Sequence, residues 1–179
     1  MHAQPRITGP RESIAGPLRL ARAFTLIELV IVLAVIATIS AIAVPRYQLA
    51  TARYRAIGAA RRLAADIETM RQDAIARSLG QRLRIKSSTT YQLTDNTAGW
   101  AAASVRSIDL SSDPYRARFT TTDLGNDGEL LFNGYGIPDG AATMTLSSGA
   151  VAAQVSVDPQ TGSVSTRILT ITGPALGGS

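Results

Sequence analysis

Phe24-Thr-Leu-Ile-Glu28-Leu-Val-Ile-Val-Leu-Ala-Val-Ile-Ala-Thr-Ile-Ser-Ala-Ile-Ala-Val44-Pro45 is an apolar run of membrane length with one carboxylate near its start. As a helix, Phe24 to Val44 spans ~31 Å at ~1.5 Å per residue, which matches a hydrocarbon core of ~30 Å. A charge in such a segment is costly unless it is paired, so Glu28 marks a functional position by default. Ahead of the run lie residues 1–23, where Arg6, Arg11, Arg19 and Arg22 stand against Glu12 among several Gly and Pro. That stretch reads as a cytoplasmic tail or a targeting segment. Arg46, Arg53, Arg55, Arg61 and Arg62 lie beyond the run as well, so arginine bias alone does not set the orientation.

Ala23-Phe24-Thr25-Leu26-Ile27-Glu28-Leu29-Val30 resembles the prepilin cleavage and methylation motif of type IV pilins and type II secretion pseudopilins. The resemblance implies that prepilin peptidase cuts after Ala23 on the cytoplasmic side and that Phe24 becomes an N-methylated first residue. Glu28 is then the fifth mature residue and Pro45 the twenty-second, where the family usually has them. The family usually has Gly before the cut, and here the small side chain of Ala23 stands there. Cleavage would create a positive amine at Phe24 beside the membrane. Pairing Glu28 with that amine on a neighbouring subunit would neutralise both charges in low dielectric and favour assembly over the free monomer. In a helix begun at Phe24 the two residues, four apart, share a face.

Two simpler readings compete. A plain signal anchor leaves Glu28 incidental, although a charge at a helix centre costs about 2.5–3.5 kcal/mol on insertion scales. An ordinary secretory signal would use Ala41-Ile42-Ala43 as its small-x-small site, but Glu28 would then interrupt a hydrophobic region already long for a signal peptide.

After Pro45 the chain turns amphipathic. Apolar side chains recur at Tyr47, Ala50, Tyr54, Ile57, Ala60, Ala64, Ile67, Met70 and Ala74, in steps of three or four, which predicts a helix over 46–79 packed against a sheet formed by the remainder of the chain. Gly80 is the expected stop, and Gly58 would loosen the interior. Pro45 lacks a backbone donor and clashes with the carbonyl four residues back, so the two stretches are expected to form one long helix kinked there. From residue 81 the period shifts toward two. Strand candidates are Arg82 to Lys86, Tyr91 to Thr94, Val105 to Leu110, Arg118 to Thr122, Glu129 to Phe132, Ala142 to Leu146, Val151 to Val157 and Val164 to Ile171. Gly125-Asn-Asp-Gly128, Asn133-Gly-Tyr-Gly-Ile-Pro-Asp-Gly140 and Asp158-Pro-Gln-Thr-Gly162 punctuate them.

The expected fold is therefore α+β and pilin-like, a long kinked N-terminal helix packed on a C-terminal antiparallel β-sheet domain. Its parts would be a cleaved leader over 1–23, a transmembrane and filament-core helix over 24–44, an amphipathic helix over 45–80, a β head domain over 81–172 and a tail over 173–179. Helix first, many short strands after, and the stretches Phe132–Gly140 and Val155–Val164 resemble the minor pseudopilin group called GspH/FimT. That resemblance implies a subunit at or near the tip of a type II secretion pseudopilus, with its head periplasmic, its stem in the bacterial inner membrane, and prepilin peptidase and other pilins or pseudopilins as partners. The alternatives are a minor pilin of a type IV pilus contacting DNA during uptake, and a plain membrane-anchored periplasmic sheet domain.

Charge bears on the DNA alternative. The chain is net +5, but the leader holds four Arg against one Glu, and residues 46–79 hold seven Arg against Asp66, Glu68 and Asp73. Residues 80–179 carry seven basic and eight acidic groups, so the head is not basic. Helix arginines suit lipid headgroups or acids of adjacent subunits better than DNA. Members of the resembling group that bind DNA use a Gly-Arg-x-Arg stretch near the C-terminus. Here the matching turn reads Gly162-Ser163-Val164-Ser165, with Arg167 nearby, which disfavours DNA as a partner. A residual patch would have to combine Arg82, Arg84, Lys86, Arg116 and Arg118, with affinity falling steeply in salt.

Catalysis and cofactors find little support. His2, the only histidine, lies in the leader, and there is no Cys, so histidine acid–base and thiolate chemistry are excluded from a mature chain beginning at Phe24. The absence of Cys also means that no disulfide is required in an oxidising compartment. Lys86, the only lysine, has no Gly-rich loop before it, and Gly134-x-Gly136-x-x-x-Gly140 misses dinucleotide spacing and holds Pro138. Asp123-Leu-Gly-Asn-Asp127-Gly128-Glu129 resembles a calcium loop, but Gly125 and Gly134 stand where ligands belong, so it reads as a turn, with a weak calcium site as the minority option. No cofactor and no metal site are expected.

Overall fold

The computed structural model describes residues 24–125 and 127–170, and the expected leader (1–23) and tail (173–179) lie outside them. One helix, α1, runs from Leu26 to Arg77 over 52 residues. Thr25 caps it, its Oγ1 accepting the Glu28 backbone N–H at 3.2 Å while its carbonyl accepts Leu29 N–H. Thr25-x-x-Glu28 is the capping-box pattern, and an acid in the first turn meets the positive end of the helix dipole. Phe24 and Thr25 precede the helix, so the shared helical face expected for Phe24 and Glu28 is not present.

The helix passes unbroken through Pro45, although the proline leaves the Ala41 carbonyl without its usual donor. It ends three residues before Gly80. Ser78 takes φ +50°, its N–H reaches the Ile75 carbonyl, and Leu79 N–H reaches the Ala74 carbonyl. This is a Schellman cap with Ser78 in the left-handed position that glycine usually fills, which is why Gly80 misleads as a stop signal.

The chain divides into two compact units, one ending at Ser40 and one beginning at Ala41. In the head, α1 buries Ala56, Ala59, Ala60, Leu63, Asp66, Ile67, Met70 and Ala74. Ala60, Ile67, Met70 and Ala74 belong to the expected stripe. Tyr47, Ala50 and Tyr54 belong to it too, yet they are exposed, because full burial of α1 begins only at Ala56. Three alanines within one turn and a half let the sheets approach the helix closely.

Eight strands come next: β1 Gln81–Ile85, β2 Thr90–Asp95, β3 Arg106–Asp109, β4 Arg118–Asp123, β5 Glu129–Phe132, β6 Ala142–Ser148, β7 Val151–Val157 and β8 Val164–Thr170. Every expected strand run falls on one of them. They form two antiparallel four-stranded sheets, ordered β3-β2-β1-β5 and β4-β6-β7-β8, where sequence patterning does not divide the sheet domain. Register puts apolar residues opposite one another: Leu83 faces Leu93 and Leu130, and Met144 faces Val155. Their core-side residues, with Tyr91, Leu110, Phe119, Phe132 and Leu146, make one cluster with the buried face of α1. A bulge between Phe119 and Thr121 bends β4.

Candidate functional site: an uncovered stem and a locked head

From Phe24 to Ala50 every residue is exposed, including the whole apolar run. The helix is long and apolar enough to cross a membrane, with a mean hydropathy of 2.7 over its most apolar window. Burying such a face is favourable by about 25 cal/mol per Å2, so lipid or other helices must cover it. Glu28, in the first helical turn, is the only charge between Phe24 and Pro45. Ala23 falls outside the described residues. The stem thus offers an adhesive apolar cylinder with one carboxylate at its entry end.

In the head, Asp66 is a buried acid that enters the sequence reading only as charge balance. Its carboxylate accepts Arg62 Nε at 3.0 Å, Arg106 Nη2 at 3.0 Å and the Tyr91 hydroxyl. One helix residue therefore ties α1 to β2 and β3. Burial, and then the bond to Asp66, push the Tyr91 hydroxyl well above its ordinary pKa. The Asp66/Tyr91 separation of 25 residues hides the pair, and no local motif signals it.

The turn-rich stretches Phe132–Gly140 and Val155–Val164 meet at the C-terminal end of α1. Asn133 Oδ1 accepts the backbone N–H of Tyr135 and Ile137, coiling the β5–β6 loop. Gly134 lies so close to the Ser78 backbone, and Gly136 (φ +74°) to Ile75, that a Cβ would sit 2.8 and 2.7 Å from them. In the β7–β8 turn, the Asp158 carboxylate accepts two backbone N–H groups and the Thr161 hydroxyl, which hold it below the usual carboxylate range. A Cβ on Gly162 would lie 2.8 Å from the Gly136 carbonyl. These glycines are seats for close backbone contact, not a phosphate cradle.

The basic residues considered as a DNA patch are largely engaged. Arg82 and Arg84 stack over Trp100, their guanidinium carbons 4.8 and 4.2 Å from the ring centroid. Trp100 Nε1 donates to Glu129 at 2.8 Å, Arg82 pairs with Glu129 at 3.6 Å, and Arg84 donates to Gln92. Arg116 pairs with Asp113 at 2.7 Å. Asp123 accepts Gly125 N–H in a turn, and no group of three or more His, Cys, Asp or Glu is placed to hold a metal among the described residues.

Residues 59–162 match the family described as type II transport protein GspH. The chain belongs to the GspH family. Residues 18–44 of this GspH-family chain match the prokaryotic N-terminal methylation motif, which spans Ala23, Phe24 and Glu28. Among solved structures it is similar to the type IV minor pilin FimU of Pseudomonas aeruginosa (strain PAO1). One crystal form aligns at 15% identity and a TM-score of 0.52, covering 64% of this chain and 90% of that one. A second form aligns at 14% identity and 0.49, covering 62% and 90%. The first likeness shows a shared pilin fold. No curated protein matches the chain. Family and fold together make it a prepilin-like structural subunit of the minor pilin or pseudopilin class.

Proposed function

We propose that the chain is a minor pseudopilin at or near the tip of a type II secretion pseudopilus, built into the filament through its N-terminal helix. The observation that carries this is the stem: an apolar run left wholly exposed, entered through a capped first turn that holds a single carboxylate. The stem stores the monomer in the inner membrane with the head in the periplasm. Prepilin peptidase removes residues 1–23 by cutting between Ala23 and Phe24, and Phe24 is N-methylated. Its amine, on one subunit, pairs with Glu28 of a neighbour as the helix leaves lipid for the filament.

Phe24 and Thr25 lie ahead of the helix, so the amine has more reach than a residue fixed on a helical face would have. Intact mass of the chain from native membranes tests the processing: the expected terminus is Phe24 carrying one methyl group, and a terminus at Val44 or an attached leader sinks the reading. Glu28→Ala should abolish incorporation into filaments while Glu28→Asp retains part of it. A deletion strain scored for exoprotein secretion and DNA uptake should lose the first and keep the second; the reverse result would move the chain to a DNA-uptake pilus.

A further inference from the structure

Tyr54 is 78% exposed and Tyr47 75%, on the part of α1 whose apolar stripe the head leaves open. A groove of about 630 Å3, lined by Leu49, Arg53, Tyr54, Ile57, Val151 and Ile168, lies on one side of Tyr54, between α1 and strands β7 and β8. A second of about 640 Å3, lined by Tyr47, Tyr54, Gly58 and Tyr115 and by the Arg55–Asp113 ion pair, lies on the other. Tyr54 is thus a ridge between two mainly apolar troughs, a shape complementary to a helix laid along either side.

Charge is distributed unevenly along the same helix. Residues 46–61 hold Arg46, Arg53, Arg55 and Arg61 and no acid, whereas 62–77 hold three arginines and three acids. Arg55 reaches Asp113 at 3.6 Å, and Arg46, Arg53 and Arg61 have no ion pair among the described residues. The positive excess of α1 therefore lies on the segment that carries the two grooves, with Arg53 lining the first and Arg55 the second.

Depth argues against lipid as the cover. If the apolar run fills the hydrocarbon core up to Val44, Tyr54 stands ten residues further on, or ~15 Å along the helix. The headgroup layer accounts for only about 5–8 Å on each side, so it can reach Arg46 and Tyr47 but not Tyr54. Like charge argues against a second copy, since the same segment of another copy in register would set four arginines against four.

We propose that this Tyr54 ridge and its flanking grooves dock a different pilin-class subunit, through a helix that is apolar on one face and acidic along its edge. The inference rests on the filament reading and adds partner selection to it: the stem supplies adhesion common to all such helices, and the arginine-bordered ridge chooses an acidic neighbour over another copy of this chain. Apolar contact at Tyr54 supplies affinity, and the arginines supply discrimination.

The test uses the full-length chain in its own cells with a photoreactive phenylalanine at position 54, and in a separate strain at Ile31 within the stem. The expected adduct at 54 joins one other chain that carries a methylation-type N-terminal segment and an acidic stretch beyond it. Arg53→Glu together with Arg61→Glu should cut its yield about tenfold at unchanged protein level, and reversing acids of the captured chain to arginine should restore it. An adduct with lipid, an adduct with a second copy, no adduct at 54, or a yield indifferent to charge reversal overturns the proposal. Adducts at Ile31 in any of those cases leave the filament reading standing, while loss of the Ile31 adducts removes both.

Discussion

Asp66 gathers the side chains that fix α1 against the first sheet, and its environment sets clear expectations for single substitutions. Tyr91→Phe removes one hydroxyl bond and should lower stability by about 1 kcal/mol. Asp66→Ala leaves the buried Tyr91 hydroxyl without its acceptor, while Arg62 and Arg106, about half exposed, return to water. The loss should be larger, about 2–3 kcal/mol, read by denaturant unfolding of the full chain in detergent. The same pair predicts an alkaline limit. An acid whose folded pKa is raised adds stability that is complete below its unfolded pKa, about 10 for tyrosine, and that is lost as pH rises beyond it. Unfolding midpoints should therefore fall above about pH 10 in the natural chain, and Tyr91→Phe should remove most of that pH dependence.

At the scale of elements, the helix ends carry information that apolar patterning leaves unread. Thr25-x-x-Glu28 is a legible capping signal, but the family motif overlying the same residues draws attention to processing instead. At the other end, glycine is the expected marker of the stop, and the chain uses Ser78 at φ +50°. Ser78→Gly should therefore stabilise the head, by about 1 kcal/mol, with a matching rise in thermal midpoint. Pro45 sits inside an intact helix, where an interior proline costs about 3 kcal/mol relative to alanine. Pro45→Ala should slow amide exchange over residues 41–46, and unchanged exchange would mean that the proline marks no weak point. Strand positions are legible from alternation and turns. Strand partners are not, since β5 returns to β1 across three intervening strands and nothing in the four residues of Glu129–Phe132 encodes that choice.

For the whole molecule, the stem's helix and its uncovered apolar face are legible because lipid-length apolarity and one carboxylate are local properties of sequence. The head is legible as a class only. Its buried acid, its stacked arginines and its seated glycines each depend on residues brought together from distant strands. Tyr47 and Tyr54 show the same limit from the other side: their spacing fits a packed stripe, yet packing begins at Ala56, because periodicity records an apolar face without recording what meets it. Apolar patterning beyond the reach of the chain's own core is itself a sign of an outside surface.

Trp100 is the only tryptophan in the chain, half-buried against two guanidinium groups and a glutamate acceptor of the first sheet. That makes it an intrinsic optical probe placed wholly in the head. Its emission should red-shift when the sheet comes apart and stay constant when only the stem changes from detergent to bilayer. A fluorescence titration can thus follow the unfolding of the head in intact membranes, with no label and no truncation.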